Sequence, residues 1–258
     1  MPGESLQTLL DFATDAAWQA GKITLSYFGT GIVPELKSDQ TPVTVADRQA
    51  ENLLRTLIEA RFPDHAVLGE EYGESNQGAR YRWILDPIDG TKSFVQGVPL
   101  YGVLIGLERD GEPLLGVCYL PALDEMVAAG QGLGCTLNGR RIRVSAVKEM
   151  ADAVFLTSDV AAFSKRGRQD VYHKLEQATR LSRTWGDCYG HILVAMGRAE
   201  MMLDAAMNVW DCAALLPILQ EAGGTFTDWE GNATIHGPDA FSTNGHLFKR
   251  VLEVTRGA

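Results

Sequence analysis

Four short segments place acids where folding alone would not ask for them, and carboxylates gathered in this way can hold cations. Gly69-Glu70-Glu71 follows the apolar Ala66-Val67-Leu68. Asp86-Pro87-Ile88-Asp89-Gly90-Thr91-Lys92 follows the apolar Trp83-Ile84-Leu85, so a buried strand runs into two aspartates, a glycine and a hydroxyl. Asp211 opens an otherwise apolar stretch, Trp210-Asp211-Cys212-Ala213-Ala214, and Thr44-Val45-Ala46-Asp47 supplies a fourth acid. Lys37 is the nearby base. Taken singly, each has an ordinary reading. Asp86-Pro87 and Asp89-Gly90 are turn dipeptides. Thr44-x-x-Asp47 fits a capping box with Asp in the usual place of Glu. Asp211 suits an N-cap or the first turn of a helix. Glu70-Glu71 suits a solvated loop, and Lys37 an exposed one.

Composition narrows the class. A chain of 258 residues, 45% hydrophobic and 22% charged, has the profile of a globular protein with ample core. The net charge of −10, from 33 acids against 23 bases, argues against a partner held through phosphate-backbone contacts, so no nucleic acid is expected. No apolar run reaches the roughly 18 residues of a membrane span. The start, MPGESLQTLLDF, has neither the basic nor the apolar region of a signal peptide. The expectation is a cytoplasmic protein with no membrane partner. Cys118, Cys135, Cys188 and Cys212 are scattered, without C-x-x-C, and read as free buried thiols in a reducing compartment. The histidines (65, 173, 191, 236, 246) form no H-x-x-x-H pair, so no zinc site is expected.

The elements that must position the acids follow from periodicity. From Ser5 to about Tyr27, Leu6, Leu9, Leu10, Ala13, Ala16, Ala17, Ala20 and Ile23 recur at helical spacing, and Gly29 and Gly31 end the helix. A polar loop with Lys37, Ser38 and Asp39 leads to a second helix, opened by Thr44 and closed by Pro63. Arg82 to Leu85, Tyr101 to Glu108, Leu114 to Leu120 and Glu125 to Ala129 read as strands, with hairpin turns at Asp110-Gly111 and Asn138-Gly139. Gly130-x-Gly132-x-Gly134 reads as a glycine-rich hairpin rather than a dinucleotide loop, since no helix follows it. From Ala153 strands and helices alternate: strand 153–157, helices 168–179 and 188–196, strand 201–204, one helix from Asp211 to Ala222 stopped by Gly223-Gly224, and a strand to Thr227. Two sheets layered with helices is the natural architecture. A soft boundary near Val144 to Met150 divides the chain into residues 1–147, an α+β part with the metal and phosphate motifs, and residues 148–258, an α/β part with the Trp210-Asp211 motif and a substrate-selecting segment.

Together the blocks make a pattern. Asp47, Gly69-Glu70-Glu71, Asp86-Pro87-Ile88-Asp89-Gly90-Thr91 and Trp210-Asp211-Cys212-Ala213-Ala214, in that order, resemble the inositol monophosphatase family of magnesium-dependent, lithium-sensitive phosphatases. The resemblance covers nearly the whole chain. It implies an α/β (α+β) fold, a layered αβαβα sandwich, and hydrolysis of small-molecule phosphomonoesters by attack of an activated water. It implies Glu70, Asp86, Asp89 and Asp211 as carboxylate ligands, and Ile88 as a ligand through its main-chain carbonyl, for two to three Mg2+ ions. Mn2+ accepts the same oxygen ligands. Carboxylate clusters suit two-metal phosphoester hydrolysis. Asp47 and Thr91, with Glu70, would orient and activate the water. Gly90, Thr91 and Lys92 would open a helix that receives the phosphate, with Ile88, Asp89 and Asp211 also bordering the substrate. Lys37 matches a loop lysine of the family near the metals. The resemblance further implies a homodimer.

Within the family, Lys92 stands where inositol phosphatases usually carry Thr or Ser, and residues 90–102, GTKSFVQGVPLYG, resemble the histidinol-phosphate phosphatases. Phosphatases of 3′-phosphoadenosine nucleotides also carry Lys there, but usually followed by Glu, which this chain lacks. Thr184-Trp185-Gly186-Asp187-Cys188-Tyr189-Gly190 and Phe226-Thr227-Asp228-Trp229 point to the same branch. Histidinol phosphate carries an amine and an imidazole. Asp187 and Asp204 fall on family positions lining the sugar side of the pocket, where a carboxylate would attract an ammonium group. Their ordinary readings are a helix N-cap for Asp187 and a polar strand end for Asp204. Arg183 reads equally as a pocket residue or a surface arginine. The expected substrate is L-histidinol phosphate, in histidine biosynthesis. The alternatives are an inositol-1-monophosphatase or broad sugar-phosphate phosphatase, and a non-catalytic regulatory protein, which would have lost carboxylates that this chain retains.

Overall fold

The computed structural model describes residues 4–38 and 41–257; Asp39, placed by the sequence in the loop after the first helix, lies outside the described residues. Helix α1 (Leu6–Tyr27) begins at Ser5, whose Oγ accepts from the Thr8 N–H, and buries the leucine and alanine face given by its spacing. A short antiparallel pair, β1 (Glu35–Leu36) and β2 (Pro42–Val43), leads into α2 (Val45–Arg61).

Among the described residues, an eight-stranded sheet follows. It contains β3 (Ala66–Gly69), β4 (Gly73–Ser75), β5 (Tyr81–Asp89), β6 (Gly102–Arg109), β7 (Glu112–Leu120), β8 (Glu125–Gly130), β9 (Gly134–Leu137) and β10 (Arg140–Arg141), in the spatial order β10-β9-β8-β7-β6-β5-β3-β4. Only the β3–β5 pairing is parallel. A short helix, α3 (Thr91–Val95), follows β5 directly. Asp110-Gly111 and Asn138-Gly139 all take positive φ, the backbone a two-residue hairpin turn requires.

The second sheet has the order β12-β11-β13-β15-β14. Its strands are β11 (Val154–Leu156), β12 (Leu181–Arg183), β13 (Met201–Asp204), β14 (Thr225–Thr227) and β15 (Ala240–Thr243). Around them run α4 (Val160–Lys165), α5 (Gln169–Ala178), α6 (Cys188–Ala195), α7 (Val209–Ala213), α8 (Leu215–Glu221) and α9 (Phe248–Arg256). The single helix expected from Asp211 to Ala222 is instead two, α7 and α8, meeting at Ala214. Pro217 has no N–H to offer the Ala213 carbonyl, and the hydrogen-bond run is interrupted there.

The layers follow from strand alternation. Trp83, Leu85, Val103, Ile105, Val117 and Tyr119 point to one face of the first sheet and pack with α1 and α2. Ile84, Leu104, Cys118 and Leu120 point to the other and pack with α6, α8 and the near face of the second sheet. Phe155, Met201, Leu203 and Phe241 cover that sheet's far face with Phe163, Val171, Leu175 and Val251 of α4, α5 and α9. The order is αβαβα, as the resemblance implied. Two paired glycines, Gly106 of β6 and Gly116 of β7, let the α7–α8 junction rest directly on the sheet. A Cβ at Gly106 would stand 2.7 Å from the Ala213 Cβ, and one at Gly116 2.0 Å from the Ala214 carbonyl oxygen. This contact brings Asp211 to the end of β5.

Candidate active site

Strand β5 carries apolar residues up to Leu85 and then loses its regular pairing with β6 between Asp86 and Asp89. Pro87 removes a ladder donor at that point. The irregularity lets Asp86 Oδ1 accept from the Ile88 N–H (3.0 Å). Gly90 follows at φ 86°, with Leu100 O and Asp187 Oδ2 each 3.0 Å from where a Cβ would lie. Thr91 Oγ1 donates to the Ile88 carbonyl (3.0 Å), holding the start of α3 against the two aspartates.

The Glu70-Glu71 loop is fixed by Glu51, a buried acid of α2 that sequence reasoning missed. Its carboxylate accepts from the Glu71 N–H (2.8 Å), the Tyr72 N–H (3.2 Å) and Arg55 Nε (2.8 Å). Gly69 makes room for it, since a Cβ there would fall 2.0 Å from Glu51 Oε1. An acid at a helical position gives no local sign of such a role; the contacts span some twenty residues. Lys37 Nζ bridges Glu70 and Glu71, 2.7 Å from an oxygen of each, and is half-buried rather than a solvated loop lysine. Despite that burial, the two carboxylates hold its ammonium above the usual lysine range.

Asp47 and Asp211 occupy the same place in two different helices. Each is the third helical residue of a capping box. Asp47 Oδ2 accepts from the N–H (2.8 Å) and Oγ1 (2.6 Å) of Thr44, and Asp211 Oδ2 from the N–H of Asn208 (2.7 Å). The capping reading of Asp47 is therefore correct for one oxygen. Its Oδ1 is buried with no hydrogen-bond partner, a costly arrangement unless something else satisfies it.

The acids converge. Carboxylate oxygens of Asp86, Asp89 and Asp211 lie within 4.8 Å of one another. Burial, with Glu70, Asp89 and Asp211 nearby, drives the Asp86 carboxyl well above the usual range. Burial, Asp187 and Asp211 do the same to Asp89. Burial pushes Asp211 up to about 7 and Asp47 up to about 6, against the capping hydrogen bonds that pull both down. The site is thus a set of hard oxygen donors whose mutual repulsion a cation would relieve. The donor chemistry and the orphaned Asp47 oxygen both fit a resident Mg2+.

Two connected cavities share this cluster. The smaller, about 140 Å3, is bordered by Glu70, Asp86, Ile88, Gly90, Thr91 and Thr41. The larger, about 380 Å3, is bordered by Ser158, Asp159, Asp204, Met207 and Ser93. Asp89, Lys92, Asp187 and Asp211 line both. Asp187 precedes α6 at φ 53° and makes no side-chain capping bond, so the N-cap reading does not account for its carboxylate. Its N–H donates to Ser158 Oγ (2.7 Å), while the Ser158 N–H donates to Asp204 Oδ1 (2.9 Å). One serine therefore ties the Asp187 backbone and the Asp204 carboxylate to the end of β11. Asp159 adds an acid that the sequence did not single out. Arg183 is not brought to the cavity: it is exposed at the end of β12, where its Nη1 donates to the Ser182 carbonyl. The edge strand of the sheet ends there, and the chain turns inward only at Gly186, which packs against Ser158.

A family model described as the inositol monophosphatase family matches residues 5–256. The histidinol-phosphatase of Chlorobaculum parvum is 44% identical over 245 residues, covering 94% of this chain and 95% of that one. The histidinol-phosphatase of Mycobacterium tuberculosis is 37% identical over 249 residues, covering 94% and 96%. Among solved structures, the Thermotoga maritima IMPase superposes with a TM-score of 0.88 at 31% identity, covering 97% of each chain.

Proposed function

The chain belongs to the inositol monophosphatase family and is a phosphomonoesterase, and from that premise we propose that it hydrolyses L-histidinol phosphate to L-histidinol and phosphate in histidine biosynthesis. One observation carries the choice of substrate. Beyond the metal-type acids, the larger cavity is walled by Asp159, Asp187 and Asp204, and its sole basic lining residue among the described residues is Lys92. A leaving group bearing an amine and an imidazole meets opposite charge there, whereas a neutral polyol gains less.

The residues divide the work. Glu70, Asp86, Asp89, Asp211 and the Ile88 carbonyl would hold Mg2+, which when bound neutralises the acids and polarises water and phosphoryl oxygens. Asp47, whose Oδ1 is free of internal partners, and Thr91 orient the attacking water, and the Asp47 carboxylate accepts its proton. The water oxygen bonds to phosphorus, the bond from phosphorus to the histidinol oxygen breaks, and that oxygen takes up a proton, in net the one released by the attacking water, and leaves as the alcohol. Gly90, Thr91 and Lys92 receive the phosphate. Asp187 and Asp204 face the cationic leaving group. Arg183 has no part in this reading, being outside the cavity. The same reading carries two to three Mg2+ ions, replaceable by Mn2+, a homodimer and a cytoplasmic location. Among the described residues, no helix is long and apolar enough to cross a membrane.

The test is phosphate release from L-histidinol phosphate, inositol 1-phosphate and 3′-phosphoadenosine 5′-phosphate, with Mg2+ and with EDTA. The highest kcat/KM on L-histidinol phosphate, lost in EDTA, is expected. A preference for inositol 1-phosphate would replace the substrate reading with its main rival.

A further inference from the structure

His191 is the one histidine sealed between the two sheets, and nothing in the proposed mechanism uses it. It sits on α6 with its ring 5.4 Å from that of Phe226 and with no solvent exposure. Nδ1 is 2.9 Å from Ser242 Oγ on β15. Nε2 has no hydrogen-bond partner, and 3.4 Å away lies Oδ2 of Asp204, at the end of the neighbouring strand β13. A buried ring nitrogen left over in this way calls for an explanation.

The tautomer follows from the two neighbours. If Nδ1 carried the proton, Nε2 would turn a lone pair toward a carboxylate oxygen. If Nε2 carries it, the N–H faces Asp204 and Nδ1 accepts from the Ser242 hydroxyl, which can rotate to donate. The second arrangement satisfies both contacts after a shift of a few tenths of an ångström. Asp204 is then held by two donors, the Ser158 N–H on Oδ1 and the His191 N–H on Oδ2. Among the described residues no Lys or Arg pairs with it, so its charge is not spent inside the protein.

We propose that His191 is a positioning residue that aims the Asp204 carboxylate into the larger cavity, toward the cationic end of the substrate. The inference rests on the substrate reading above and extends it to a residue that touches no substrate. A carboxylate at a strand end, with one oxygen anchored and the other loose, would swing about its side-chain torsion. The imidazole fixes the second oxygen from behind, through a chain that runs from β15 across α6 to β13.

The experiment exploits the geometry of amide side chains. In His191→Asn the amide reaches the Nδ1 position, near Ser242, but supplies no donor at the Nε2 position. In His191→Gln the amide reaches the Nε2 position. The ratio of kcat/KM for L-histidinol phosphate to that for inositol 1-phosphate should fall about tenfold in His191→Asn, mainly through KM, and recover in His191→Gln, a change typical of one hydrogen bond to a charged group. In an Asp204→Asn background His191→Asn should move the ratio no further. A purely structural histidine would lower both substrates together in both variants, and that result overturns the proposal. Should either His191 variant fail to fold by circular dichroism, Ser242→Ala serves. It frees Nδ1 at the far end of the chain and should lower the same ratio, and an unchanged ratio there is equally fatal. A wild type without preference for L-histidinol phosphate would instead remove the substrate reading itself.

Discussion

Replacing Asp187 by asparagine should lower selectivity for the cationic substrate without disturbing the fold. The backbone at Asp187, φ 53° and ψ −152°, is strained for any L-residue, and Asn, matching Asp in shape, adds no strain of its own. The side chain makes no capping bond that the change could break. What the substitution removes is the charge. Burial and the neighbouring Asp204 push the Asp187 carboxyl up to about 6, against the pull of Lys92 and Ser93, so at pH 8 it is an anion. A hydrogen bond to a charged partner is worth about 1.5–3 kcal/mol, or roughly ten- to 150-fold in kcat/KM. Asp204 and Asp159 remain in the same wall, and the lower end, about tenfold, is the expectation. The assay is the kcat/KM ratio for L-histidinol phosphate over inositol 1-phosphate at pH 8. Contacts to the phosphate are common to both substrates and cancel in the ratio. An unchanged ratio would refute the assignment of Asp187 to the leaving group.

Asp89→Asn should cut kcat by about 100-fold or more, exceeding the 10- to 100-fold typical of a partner one shell further out, and should raise the melting temperature in EDTA by taking one carboxyl out of the mutually repelling cluster; near-normal turnover would count against a ligand role. Proton linkage gives a further test. Asp47 and Asp211 titrate near 6 and 7 in the metal-free fold, with Asp86 and Asp89 also raised, against about 3.9 in the unfolded chain. Folded groups with raised values keep protons that the unfolded chain has released. Their contribution to metal-free stability is therefore complete below about pH 4 and lost as pH rises to about 7. The stabilisation by Mg2+, measured as melting temperature in Mg2+ minus that in EDTA, should grow from pH 5 to pH 8, and a flat difference would contradict the repulsive cluster. Gly116→Ala drives a methyl against the Ala214 carbonyl and should destabilise by about 1–3 kcal/mol while weakening Mg2+ affinity through Asp211, as read by thermal melts and calorimetric titration.

Legibility in the sequence depended on how local the cause was. The Thr44–Asp47 box, the Asp110-Gly111 and Asn138-Gly139 turns and the long apolar faces of α1 and α2 are set within a few residues of themselves, and the sequence specifies them. The α9 helix escaped although Leu247, Phe248, Val251 and Leu252 recur at helical spacing, and the two-residue strands β1, β2 and β10, paired with near neighbours in the chain, are too short to show an alternation. The α7–α8 break was readable from Pro217 but was hidden by an unbroken apolar run. At the candidate site the acids were visible by type, while their supports were not. Glu51, Ser158 and the Gly106–Gly116 pair act across sequence separations that no spacing rule reaches. Arg183 illustrates the converse, a charged residue near the right segment whose strand turns it to solvent.

The walls of the two cavities have separate origins, and that separation bears on how such an enzyme can change over generations. Glu70, Asp86, Asp89 and the start of α3 come from β3, β5 and the turn beyond. Ser158, Asp159, Asp187 and Asp204 come from the ends of β11 and β13 and the approach to α6. On the proposed assignment, substitutions among the second group would alter which alcohol is accepted while the acids proposed to hold the metal stay in register on the first sheet. Asp211 is the exception, because α7 lies on that sheet through the paired glycines. A lineage can thus explore new substrates along three strand and helix ends, provided that Gly106 and Gly116 keep their bare backbones.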